Sequence, residues 1–222
     1  MTRIYVIRHC EAQGNVKRIF QGRTDCDISE TGSKQLEFLK KRFENIKLDA
    51  VYSSPLIRAY KTAQSVSFGK GLSVIKEQGL AEVDGGVIDG RPFAEVFAEH
   101  SSLAEIWDEH PEDFAPEKGE PMREAYDRIW KTVLNLANLN KGKTIAAASH
   151  GGVIRCLVCR LLYGDITRLK DTGWADNTAV TLIEFDDDMN AKLVYKYDSS
   201  HLPTELIPKR SRLSSAFKAE SK

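Results

Sequence analysis

Ile4-Tyr5-Val6-Ile7-Arg8-His9-Cys10-Glu11 is the stretch on which the fold turns. Its first four residues are apolar, two Ile and one Val among them, and suit a buried strand. They run without a break into Arg8, His9 and Glu11. A buried strand that stops on two basic side chains needs something anionic at its end. In open α/β sheets, ligands bind beyond the carboxyl ends of the strands. The stretch therefore reads as a phosphate site, with His9 as attacking nucleophile and Arg8 as its grip. The competing reading is a surface turn that happens to hold Arg and His, and the rest of the chain must decide.

Working outward, Thr144-Ile145-Ala146-Ala147-Ala148 is a second buried strand, and it too ends on a histidine, in Ser149-His150-Gly151-Gly152. The helix that follows, from Val153 to Tyr163, is apolar nearly all round and is expected to be buried. Two glycines at a helix start offer bare backbone N–H groups to an anion. Asp49 to Ser53 is a further short strand ending at Ser54-Pro55, with Pro55 suited to a first helical turn and Arg58 in that turn. Leu72 to Ile75 is expected as a third parallel strand. Val180 to Phe185 and the alternating run around Leu193-Val194-Tyr195 read as an edge hairpin. Two histidine-bearing strand ends favour a shared site over a chance surface turn.

The connecting segments carry further candidates. Residues 12–29 form a loop with no period of its own, holding Asn15, Gln21, Gly22 and Arg23; Ser29 can cap the helix that follows. A glycine-rich loop around Glu82 carries three carboxylates without the spacing of a calcium loop. Residues 91–120 are an excursion from the sheet, a helical cap with Phe93, Val96, Phe97, Leu103 and Trp107 at helical spacing. From Phe93 to Asp127 there are eleven Asp or Glu against two Lys or Arg, a net of −9. Such runs are usually solvated faces; if this one faces the site, it disfavours polyanions and tolerates a neutral or cationic leaving group. His100 and His110 sit among these acids and read as structural or exposed. Residues 199–222 form a polar tail of net +3, expected to dock through Leu202 to Ile207 and loosen beyond.

Composition excludes several classes. The chain has 222 residues, 32 basic and 32 acidic, so nothing asks for nucleic acid or an anionic membrane surface. No apolar run reaches membrane-spanning length and no leader precedes the first strand, so a cytoplasmic location is expected. Cys156 and Cys159 have redox spacing but lie within an apolar helix, where packed, inert thiols are the expectation. Gly142-Lys143-Thr144 precedes a strand and lacks the first glycine of a nucleotide-binding loop, which excludes that motif.

Arg8-His9-Cys10-Glu11 with Asn15, Phe20-Gln21-Gly22, Tyr52 to Ala59 with Arg58, Leu80-Ala81-Glu82, Gly119-Glu120 and Ser149-His150-Gly151-Gly152 together resemble the histidine phosphatase superfamily, the group that includes cofactor-dependent phosphoglycerate mutases. The resemblance runs from Arg3 to about Phe185. It implies an α/β fold, a three-layer α/β/α sandwich with a mostly parallel sheet, an antiparallel edge strand and a small helical cap, all in a single domain. It also implies His9 as nucleophile, Arg8, Arg58 and His150 around the phosphate with Asn15, Gln21, Gly22, Arg23 and Gly151 contributing donors, and Glu82 as the acid. Neither metal nor cofactor is implied, because the arginines and His150 supply positive charge. The expected partner is a small-molecule phosphate ester, the enzyme being a monomer or homodimer.

Two departures stand out. Cys10 occupies the position of the usual glycine beside the nucleophile, where its oxidation would threaten the pocket. Only 67 residues separate Glu82 from His150, with no basic insertion of the kind that binds a phosphoglycerate carboxylate. The expected activity is thus metal-independent hydrolysis of phosphate monoesters through a phosphohistidine. The alternatives are a phosphoglycerate mutase and a catalytically silent phosphate-binding regulatory domain.

Overall fold

The computed structural model describes residues 1–207. Six strands form one sheet in the order β3-β2-β4-β1-β5-β6. They are β1 (Thr2–Arg8), β2 (Ala50–Ser53), β3 (Val74–Lys76), β4 (Thr144–Ser149), β5 (Val180–Phe185) and β6 (Ala191–Asp198). β1, β2, β3 and β4 run parallel, while β5 pairs antiparallel with β1 and with the edge strand β6. The mostly parallel sheet and the edge hairpin are as expected. β3 begins two residues later than the apolar run suggested, because pairing with β2 starts at Val74.

The helices are α1 (Gln13–Val16), α2 (Glu30–Phe43), α3 (Ile57–Ser67), α4 (Phe93–Glu99), α5 (Ser101–Glu109), α6 (Met122–Leu139) and α7 (Gly151–Tyr163). The period of two along β1 sorts them into layers. Ile4 and Val6 pack with α6 and α7, through residues such as Ile129, Val133 and Leu157. Ile7 packs on the other face with Leu39 and Phe43 of α2 and Ala59 and Ala63 of α3. A helix layer on each face follows directly from that alternation.

Local chemistry sets several boundaries. The Ser29 hydroxyl accepts the Gly32 N–H and starts α2. α3 begins at Ile57, two residues after Pro55, and its first N–H is capped from a distance by Asp25 Oδ1 at 2.7 Å. α7 stops at Gly164, which adopts φ 67°. The cap is two short helices rather than one. The chain leaves helical geometry at His100, φ −129° and ψ 69°, just before Ser101-Ser102. Serines compete for backbone groups and break helices in this way. His100 and His110 are both exposed. Leu202 is buried, and the Leu206 carbonyl accepts from Gln35 Nε2, so the first part of the tail docks as expected. The expectation for residues 208–222 lies outside the described residues.

Candidate active site

His9 lies one residue beyond β1 and His150 one residue beyond β4, and these strands are neighbours in parallel register. The two imidazoles therefore meet, their ring centroids 5.1 Å apart. Both are almost sealed from solvent, at 3% and 0% exposure. Burial, reinforced by the Arg58 cation, holds both well below the ordinary histidine range. Both rings are consequently neutral near pH 7.

The tautomer of His9 follows from its partner. Nδ1 lies 2.6 Å from the Cys10 carbonyl oxygen, which only accepts, so Nδ1 carries the proton. Nε2 is left with a lone pair. The strand end itself is tied down twice. Asn177 Nδ2 donates to the His9 carbonyl at 3.0 Å, and the Thr178 N–H donates to the Arg8 carbonyl. His150 Nε2 lies 2.7 Å from Ser54 Oγ, at the end of β2.

Arg58 is fully buried in α3. Its guanidinium donates to the carbonyls of Thr24 and Gly22 at 2.7 and 2.9 Å, which folds residues 12–29 back onto the strand ends. Its Nε is buried without a partner. A buried cation with spare donors is arranged for an anion. Arg8 Nη1 donates to the Ala175 carbonyl. The Asn15 amide oxygen accepts the Ala12 N–H, so its amide nitrogen is the end available to donate.

Glu82 meets the start of α7. Its Oε1 accepts the N–H groups of Val83 and Val153, and its Oε2 that of Gly152, all at 3.0–3.1 Å. A Cβ on Gly152 would lie 2.8 Å from Glu82 Oε1, so the second glycine exists to let this carboxylate approach. Arg128 of α6 braces the segment leading to Glu82, donating to the Gly79 and Ala81 carbonyls and forking onto both oxygens of Glu120.

These groups surround a cavity of about 420 Å³. Arg8, His9, Asn15, Gln21, Gly22, Arg58, Glu82, Gly151 and Gly152 form its inner wall, and Ile19, Phe20, Val83, Phe93, Trp107, Asp108 and Trp174 complete it. The site residues expected from the sequence are thus brought together, except that two of them, His150 and Arg23, do not line the cavity. His150 stands behind the wall against His9. Arg23 turns toward Glu120, 3.9 Å away, rather than into the cavity. Among the described residues, no group of three or more His, Cys, Asp or Glu gathers as a metal site requires.

Cys10 corrects an expectation. Its side chain is fully buried in the α2–α3 core and does not line the cavity. Burial pushes its thiol up to about 12, so it carries no thiolate for oxidation. Cys156 and Cys159 are packed and likewise raised by burial, as expected. Several supporting residues gave no sequence signal. Ser54, Asn177 and Thr178 act through hydrogen bonds to groups distant in sequence. Asp89 holds the Arg23 and Gly85 N–H groups, with burial pushing its carboxyl up to about 6. The Trp107–Trp174 stack, 5.8 Å between centroids, joins elements 67 residues apart.

Neutral imidazole, paired arginines and helix-start amides at the ends of a parallel sheet are groups suited to phosphoryl transfer. The chain belongs to the histidine phosphatase superfamily, branch 1, which matches residues 4–198. It is 31% identical over 193 residues to phosphoserine phosphatase 1 of Hydrogenobacter thermophilus, covering 87% of this chain and 91% of that one. Among solved structures it resembles Bacillus stearothermophilus YhfR, with TM-score 0.86 and 27% identity over 90% of this chain and 99% of that one. It also resembles a phosphoserine phosphatase mutant from Entamoeba histolytica in complex with phosphoserine, with TM-score 0.79 and 25% identity over 91% of this chain and all of that one.

Proposed function

We propose that His9 Nε2 is the nucleophile and Glu82 the proton donor and acceptor of a two-step phosphate ester hydrolysis. The chain is a phosphoric monoester hydrolase of the histidine phosphatase type. The observation that carries the assignment of roles is the neutral His9, whose Nδ1 proton is fixed on the Cys10 carbonyl while Arg8 and Arg58 share its cavity.

The ester's dianionic phosphate lies against Arg8 and Arg58, with Asn15 and the Gly151 N–H as further donors. The Nε2 lone pair attacks phosphorus. The bond from phosphorus to the ester oxygen breaks, and that oxygen leaves with a proton from Glu82. By themselves the two imidazoles refuse protons; a bound dianion reverses the local field and favours proton uptake at His150. Water then attacks phospho-His9 and gives a proton to Glu82, while the N–P bonding pair returns to Nε2. The mutase alternative is disfavoured, since among the described residues the cavity wall has no cation besides Arg8 and Arg58 for a second acidic group. A silent binding domain has no use for a nucleophile opposed by an acid.

We take the enzyme to be cytoplasmic, which the four free cysteines support. No helix among the described residues is long and apolar enough to cross a membrane. The test is release of inorganic phosphate from p-nitrophenyl phosphate, with an alkali-stable, acid-labile phosphoenzyme trapped by alkaline quench in single turnover. Net isomerisation of phosphoglycerate without phosphate release would overturn the hydrolase reading.

A further inference from the structure

The cavity is lined by charges of both signs. Its inner wall carries the guanidinium groups of Arg8 and Arg58. Its carboxylates are Glu82, held by three backbone N–H groups, and Asp108 of the cap. Asp108 follows Trp107 on α5, and Trp107 is locked in place. Its ring stacks on Trp174 and meets Phe114 and Phe20 edge-on, at 4.9 and 5.4 Å between centroids. Phe20, Phe93, Trp107 and Trp174 all line the cavity. Arg155, which stacks on Trp174 at 4.7 Å, is the cation behind this wall and lies within the field of the Asp108 carboxylate; it is buried, and its Nε donates to the Leu169 carbonyl and Thr172 hydroxyl.

We propose that Asp108, with the aromatic wall beside it, selects esters whose alcohol carries a positive charge, so that the preferred substrate is the phosphate monoester of a short amino alcohol lacking a carboxylate. This inference rests on the phosphatase reading and refines it. Three features support it. Aromatic rings attract cations through their quadrupoles, and a neighbouring carboxylate adds to that attraction. Among the described residues the cavity wall has no third cation that would accept a leaving-group carboxylate. The segment from Phe93 to Asp127, from which Asp108 comes, carries a net charge of −9 and biases the approach in the same direction. A cavity of about 420 Å³ admits a phosphate and a short chain together.

The test compares kcat/KM for four esters: O-phosphoethanolamine, its neutral isostere n-propyl phosphate, O-phosphoserine and phosphoglycolate. The expected order is ethanolamine first, about tenfold above propyl as a partly buried charge contact allows. Phosphoserine falls below phosphoethanolamine, and phosphoglycolate comes last. In Asp108→Asn the ethanolamine-to-propyl ratio falls to within about twofold of one, while Asp108→Glu restores the preference. A wild-type ratio near one, or a ratio unmoved in Asp108→Asn, overturns the inference. A higher kcat/KM for phosphoserine than for phosphoethanolamine overturns the exclusion of a carboxylate. If p-nitrophenyl phosphate is turned over while the ratio stays near one, only this inference fails. If none of the esters, p-nitrophenyl phosphate included, releases phosphate, the phosphatase reading fails first.

Discussion

The two walls of the cavity are built on different physics. On the inner wall the proposed reacting groups have their directions set by hydrogen bonds to backbone: His9 to the Cys10 carbonyl, Arg58 to Gly22 and Thr24, Glu82 to the start of α7. The aromatic wall is held by ring contacts among Phe20, Phe93, Trp107 and Trp174, and it ends in Asp108. Hydrogen bonds in a sealed site fix atoms to within tenths of an ångström, which phosphoryl transfer requires. Ring packing tolerates changes of shape, which suits the choice of an alcohol. Inner-wall variants should therefore slow all esters alike, and aromatic-wall variants should reorder them.

The largest effect is expected at His9. His9→Ala removes the proposed nucleophile and should lower kcat by ~10⁴-fold or more for every ester, with no alkali-stable, acid-labile phosphoenzyme in quench-flow. Retention of a phosphoenzyme would break the comparison, because the attacking atom would then lie elsewhere. Glu82→Gln comes next. It should cost about 10²–10⁴-fold for alkyl phosphates, whose alkoxide needs a proton. p-Nitrophenyl phosphate should lose far less, since its leaving group departs unaided. Equal losses for both would assign Glu82 to positioning of α7 rather than to proton transfer.

The pH dependence isolates the inner wall from the other. His9 and His150 are pushed well below 6.5 by burial. In the unfolded chain they titrate near that value, so at lower pH the unfolded state binds protons that the folded state refuses. The ligand-free protein should thus be fully stabilised above pH 6.5 and lose stability as the pH falls below it. His150→Gln should flatten that slope in thermal melts from pH 5 to 7, and saturating inorganic phosphate should shift it to lower pH. A slope unaffected by either would mean that the two rings titrate as exposed histidines do.

The same contrast explains what could be read from the residues alone. Arg8-His9 and His150-Gly151-Gly152 follow strands whose apolar runs are unmistakable, so their convergence follows from sheet geometry. Arg58 was legible for the same reason, at a strand-to-helix junction. Arg23 was not, because nothing in Gln21-Gly22-Arg23 records that Asp89 would grip its N–H while Glu120 drew its side chain aside. Cys10 misled because adjacency to His9 suggested the pocket. Successive side chains at an extended strand end point to opposite sides, which sent Cys10 into the α2–α3 core. Trp107, Trp174 and Asp108 meet through packing between distant segments, and no local pattern encodes such a meeting.

Phe93→Ala sharpens the comparison on the aromatic wall. It should raise KM for p-nitrophenyl phosphate severalfold, by loss of ring contact worth ~1 kcal/mol, and leave inhibition by inorganic phosphate within about twofold. A matching loss of phosphate affinity would join the two walls into one device.

Asn177→Ala should have the smallest effect and tests how rigid the inner wall is. Asn177 touches no reacting atom; its Nδ2 donates to the His9 carbonyl at 3.0 Å from the loop before β5. Losing one such bond costs about 1 kcal/mol of stability, a few degrees in Tm. The carbonyl it leaves behind is attached to the nucleophile, so the strand end gains freedom where the attack is aimed. A kcat reduced by about threefold to tenfold for all esters, with their order and KM values preserved, would mark Asn177 as a positioning residue of the inner wall. A change in the order of esters would instead mean that the nucleophile and the alcohol site share a support, and the division between a chemical wall and a selective wall would fail at that point.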